Sequence, residues 1–146
     1  MALKRMDNIL LVVENLDAAI AFFRELGMKL EGRMIVEGSW VDKVIGIENA
    51  RSEIATMVTP DGHGRIELDQ FLSPAALKPR PDVSTVNALG FRRIMFAVDD
   101  LEGTLARLRP LGAEVVREVV NYQDVYKLCY IRGPEGILLG LAQELK

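Results

Sequence analysis

The feature that most constrains this chain is that it can be written on top of itself. A shift of 85 positions lays Asn8–Arg33 over Arg93–Glu118, and Ile9, Val13, Leu16, Ala21, Arg24, Leu26 and Gly27 each meet an identical residue. Those seven identities in 26 pairs compare with about two by chance at average residue usage. The ends of the halves match as well: Pro60-Asp61-Gly62 falls on Pro134-Glu135-Gly136, and Ile66-Glu67-Leu68 on Leu139-Gly140-Leu141 after a one-residue slip. A duplicated unit of this size must bury its own apolar face, so the fold is sought first within one copy.

Each copy has the same local grammar. A short apolar strand, Ile9–Val13 or Ile94–Val98, runs into an acidic or amide pair, Glu14-Asn15 or Asp99-Asp100. Such side chains accept from the free N–H groups of a helix start and suit its positive end. Apolar residues then recur at spacings of three and four, Leu16, Ala19, Ile20 and Phe23 in one copy and Leu101, Leu105 and Leu108 in the other, which is one face of a helix. Gly27 and Gly112 stand where a left-handed residue closes that helix. Pro110 lies inside the second pattern and predicts an early end. Extended segments follow, the last two joined by the Pro-Asp-Gly or Pro-Glu-Gly turn. The unit reads β-α-β-β-β, twice: module one over residues 4–72, a proline-bearing linker over 73–89, and module two over 90–146, within a single α+β domain. Trp40–Gly46 has no counterpart and reads as a short amphipathic turn of helix.

Composition removes whole classes of function. Eighteen basic and 21 acidic residues are interspersed, with a net charge of −3, so there is no basic face for nucleic acid. No apolar run approaches the roughly 20 residues of a membrane span, and the amino-terminal residues carry no apolar signal core, so a cytoplasmic protein is expected. One cysteine, Cys129, excludes an internal disulfide, and one histidine, His63, excludes a three-histidine metal site within one chain. His63 sits in Pro60-Asp61-Gly62-His63-Gly64, a hairpin tip remote from any apolar pocket.

The segments VVENLDAAIAFFRELG, FAVDDLEGTLARLRPLG, PDGHGRIEL and GPEGILLGL, in this order on a βαβββ duplication, resemble the vicinal oxygen chelate superfamily. Its members include glyoxalase I, methylmalonyl-CoA epimerase, extradiol dioxygenases and the bleomycin and fosfomycin resistance proteins. The resemblance implies two modules forming a curved mixed sheet around a central cavity, a homodimer, and often a divalent metal held by four side chains. By position those four fall on Asn8, Glu67, Arg93 and Gly140. Only Glu67 keeps a good ligand type; Asn8 offers a neutral oxygen, Gly140 nothing, and Arg93 a cation with no acceptor. A unit charge about 4 Å from a dication costs several kcal/mol even at an effective dielectric near 20. No cofactor is therefore expected, and a tightly bound metal is disfavoured; Glu67 and Asn8 are the only plausible ligands.

Strand alternation turns Asn8, Leu10 and Val12 to one face, together with Arg93, Met95, Ala97, Glu67 and Gly140, and leaves a wholly apolar set behind. An apolar face with a few polar groups is the make-up of a small-molecule pocket. Glu67 and Arg93 are the expected catalytic pair, Glu67 moving a proton beside a carbonyl and Arg93 holding an anionic oxygen. Asn8, Arg93, Tyr122, Tyr126 and Trp40 are the expected substrate contacts. The function read here is a lyase or epimerase-type enzyme on an anionic oxo or thioester compound. The alternatives are a ligand-sequestering protein of the bleomycin-resistance kind, or a metal-dependent glyoxalase or dioxygenase if Arg93 is not in the site.

Overall fold

The computed structural model describes residues 3–78 and 85–146. It divides into two compact units, Met1–Leu77 and Lys78–Lys146. Pro79 and Pro81 of the expected linker lie outside the described residues, while its first residue, Ser73, still belongs to a strand.

In the first unit β1 (Ile9–Val12) leads into helix α1 (Leu16–Leu26), followed by β2 (Lys29–Glu37), the short helix α2 (Ser39–Ile45), β3 (Arg51–Val58) and β4 (Arg65–Ser73). The sheet order is β1-β4-β3-β2, with β1 and β4 parallel and the other pairs antiparallel. Helix α1 starts where Asn15 accepts from the Ala18 N–H at 3.0 Å and ends at Gly27, whose φ of 122° a side chain would resist. Its buried face, Leu16, Ala19, Ile20, Phe22, Phe23 and Leu26, covers one side of the sheet. On that side Leu11, Ala55, Met57, Ile66 and Leu68 are buried. Each large apolar side chain so buried contributes about 1.5–3 kcal/mol.

The second unit repeats the plan: β5 (Arg93–Ala97), α3 (Leu101–Leu108), β6 (Glu114–Val115), β7 (Val120–Tyr122), β8 (Tyr126–Arg132) and β9 (Leu138–Glu144). The order is β5-β9-β8-β6, with β7 also on β8 and β5 parallel to β9. Asp100 Oδ1 accepts from the Gly103 N–H at 3.0 Å. A Cβ at position 103 would strike that same carboxylate, which explains the glycine. Pro110 ends α3 three residues earlier than α1 in the repeat alignment, and Arg109–Leu111 tighten into a 3-10 turn. The single second strand expected in this module is two short pieces, both paired to β8. The break falls at Val116–Val119, where the exposed Arg117 and Glu118 interrupt the ladder.

One tie was not read from the sequence. Gln70 Oε1 accepts from the Leu16 N–H at 2.9 Å, and Gln143 Oε1 accepts from the Leu101 N–H at 2.8 Å. In both units the last strand thus satisfies the first turn of the helix. Gln70→Ala and Gln143→Ala should each cost about 1 kcal/mol, as loss of a helix cap does, measurable as a lower midpoint in urea unfolding.

Candidate functional site

Because each helix covers one side of its sheet, the other side is free to line a pocket. In the second unit this open face holds a cavity of about 640 Å³. Its apolar lining includes Met95 of β5, Val120 of β7, Leu128 of β8 and Ala142 of β9, and its polar edges come from Tyr122, Tyr126, Tyr130 and Glu118. The register explains the convergence: Val120 pairs with Leu128, Leu128 with Ala142, and Tyr122 with Tyr126, so all five point the same way. Tyr122 and Tyr126 are among the substrate contacts expected from the sequence, and Tyr130 is not. The signal was available, since Tyr126, Leu128 and Tyr130 alternate on one strand.

Arg93 belongs to this face. Its Nη1 donates to the Tyr130 hydroxyl at 3.0 Å, and its guanidinium carbon lies 5.4 Å from the centre of the Tyr130 ring. Neither partner is charged, and among the described residues Arg93 has no carboxylate in ion-pair contact. Arg33, Arg51 and Arg65, by contrast, each hold a glutamate within 3.1 Å. Gly140 stands opposite Met95 in the ladder, and a Cβ there would meet the Met95 sulfur, so a side chain requires that flexible thioether to turn aside.

In the first unit, Asn8 Nδ2 donates to Glu67 Oε1 at 3.2 Å, so these two expected site residues do meet. Two residues along β4, on the same face, stands Asp69. It is 6% exposed, and its Oδ1 has no hydrogen-bond partner. Burial pushes the Asp69 carboxyl above the usual aspartate range, opposed by a hydrogen bond from the Ser52 hydroxyl. Trp40 is 64% exposed on α2 and is not among the cavity's lining residues. Asp42, beside it, accepts from the Asn49 and Ala50 N–H groups at 2.8 and 3.0 Å and closes the loop after α2. His63 is exposed at the hairpin tip, its N–H bound to Asp61.

These donors do not suit a divalent cation. In the first unit the Asn8 amide turns its N–H to Glu67; in the second Arg93 is cationic and Gly140 offers no side chain. Among the described residues no three histidine, cysteine, aspartate or glutamate side chains cluster as a metal site.

The sequence model of the glyoxalase/bleomycin resistance protein/dioxygenase superfamily matches residues 5–141. The chain belongs to that superfamily. A solved glyoxalase family protein from Bacillus cereus is 54% identical, with 100% of this chain and 99% of that one covered and a TM-score of 0.93. More distant superfamily structures share the fold. A glyoxalase/dioxygenase from Nostoc punctiforme is 16% identical over 99% of this chain and 94% of its own, with a TM-score of 0.67. A genomically encoded fosfomycin resistance protein from Listeria monocytogenes, solved with Mn(II) and sulfate, is also 16% identical, over 97% and 93%, with a TM-score of 0.61. No protein of curated function matches the chain. For a superfamily whose members run different chemistries on one fold, the site must be argued from its own residues.

Asp69 supplies a check on the site's electrostatics. An acid whose folded pKa lies above its unfolded value binds more protons when folded, so its contribution to stability falls as pH rises from about 4. Asp69→Asn removes that loss. The variant should gain stability relative to the parent between about pH 4 and pH 7, measured by urea unfolding across that range.

Proposed function

We propose that this superfamily member binds a small molecule with an apolar body and an anionic oxygen, and that Arg93 receives the oxygen. The observation that carries the reading is a guanidinium held by Tyr130, a neutral wall residue of an apolar cavity, with no carboxylate in ion-pair contact among the described residues. An anion entering there gains a charge-assisted hydrogen bond, worth about 1.5–3 kcal/mol, without breaking an ion pair. The aromatic lining favours a flat or unsaturated body.

As an enzyme the protein acts as a lyase or epimerase on an anionic oxo or thioester compound. In the second unit Arg93 is the group suited to stabilise developing oxyanion charge; in the first, Glu67, its carboxylate fixed by Asn8, is the group suited to carry a proton. The reaction proceeds without a tightly bound metal, a reading supported by the donor chemistry of Asn8, Arg93 and Gly140. The working form is a homodimer, for which the exposed apolar side chains Trp40, Val44 and Ile45 of α2 are the support. Sequestration without catalysis is the second reading, favoured by a cavity whose lining includes only one carboxylate, Glu118.

Binding is tested with 1-naphthoate and its uncharged amide by calorimetry. Arg93→Gln should weaken the carboxylate about tenfold or more and leave the amide unchanged; equal loss of both overturns the role of Arg93. Glu67→Gln should abolish turnover of an identified substrate while preserving binding, and unchanged turnover removes Glu67 as proton carrier. Metal analysis after dialysis should find far less than one equivalent of zinc, nickel, iron or manganese, and a stoichiometric metal sinks the metal-independent reading.

A further inference from the structure

The open face of the second unit changes character along its strands. At one end Tyr130 holds Arg93. Four residues along β8 from Tyr130, about 13 Å at the rise of a strand, the register sets Glu144, Tyr126 and Tyr122 in one row across β9, β8 and β7. The row between is apolar: Ala142, Leu128 and Val120. That middle row and both tyrosines of the far row line the cavity.

The far row joins open aromatic rings to carboxylates. Directly paired residues hold their Cβ atoms about 5 Å apart. Yet among the described residues neither the Tyr122 nor the Tyr126 ring pairs with another ring or with a cation. The two residues are 54% and 41% exposed, so their rings are open to a ligand. Glu144 is exposed opposite Tyr126, and Glu118 lines the cavity; among the described residues neither has a cation in ion-pair contact. Glu118 is brought there by a bulge. The Val116 N–H donates to the Tyr130 carbonyl at 2.8 Å and Val120 pairs with Leu128, so Arg117, Glu118 and Val119 stand opposite Cys129 alone. Bulges re-aim side chains in this way. Lys127, between Tyr126 and Leu128, alternates to the other side of the sheet and lies 3.7 Å from Glu102 of α3.

We propose that the ligand of this cavity carries a quaternary ammonium group at the end away from Arg93, received by the rings of Tyr122 and Tyr126 and by the carboxylates of Glu144 and Glu118. Aromatic faces attract a cation through the ring quadrupole, and several together are the usual receptor for methylated nitrogen. The apolar middle row selects the methylated form. A bare ammonium is strongly hydrated, whereas N-methyl groups pack against Leu128 and Val120. The assignment rests on the reading of this cavity as the ligand site, and it makes the occupant a zwitterion with its charges on the order of 10 Å apart.

The test uses two probes of one shape that differ in charge, (4-hydroxymethylphenyl)trimethylammonium and 4-tert-butylbenzyl alcohol, titrated into the full chain by calorimetry. The parent should bind the cation about fivefold or more tightly than the neutral alcohol. Tyr122→Leu, Tyr126→Leu and Glu144→Gln should each weaken the cation about two- to fivefold and leave the alcohol within about twofold. No binding of the cation, or equal binding of both probes by the parent, overturns the proposal without recourse to any variant. A loss shared equally by both probes in the variants overturns it as well. Neither probe bears an anionic oxygen, so failure here leaves the naphthoate result standing, and failure of Arg93 with naphthoate leaves this one standing.

Discussion

Everything of functional interest depends on a parallel pairing between the first and last strands of each unit. β1 lies against β4, and β5 against β9. Parallel neighbours need a crossover, and the first helix of each unit packs over one face of the sheet. The pairing extends past the strand ends, where the Val13 and Val98 N–H groups reach the Asp69 and Ala142 carbonyls, both at 2.9 Å. It also brings Gln70 and Gln143 beneath the helix starts. In each unit one face is thereby committed to the core, and residues of its first and last strands are set side by side on the other.

The two copies have used that shared frame in different ways. In the second, the bare Gly140 and the aromatic row on β7 and β8 leave an apolar cavity, and its wall residue Tyr130 holds the Arg93 guanidinium. In the first, Thr56 and Ser52 occupy the tyrosine positions, and Glu67 and Asp69 take the places of Gly140 and Ala142. Identical backbone registers therefore present different side-chain chemistry in the two units.

Much of this was legible in the sequence because it depends on local rules. The cap at Asn15, the stop at Gly27 and the early end at Pro110 follow from backbone sterics and unpaired N–H groups, which act over a few residues. Strand parity put Asn8, Glu67, Arg93 and Met95 on the open face and the apolar residues behind. What escaped depends on register between strands distant in sequence. The Tyr130 partner of Arg93 lies 37 residues away, the glutamine ties span 54 and 42 residues, and the solitary oxygen of Asp69 is defined by the absence of donors around it. The split of the second module's β2 equivalent also lay beyond a pattern reading, since Val115, Val116, Val119 and Val120 look equally extended.

The contact of Gly140 with Met95 couples two neighbouring strands. A side chain at position 140 would meet the Met95 sulfur, so it requires that half-exposed thioether to turn into another rotamer. The shape of this part of the cavity is therefore set by one unbranched, flexible side chain of β5 rather than by the backbone of β9, and a change at either position is read out at the other.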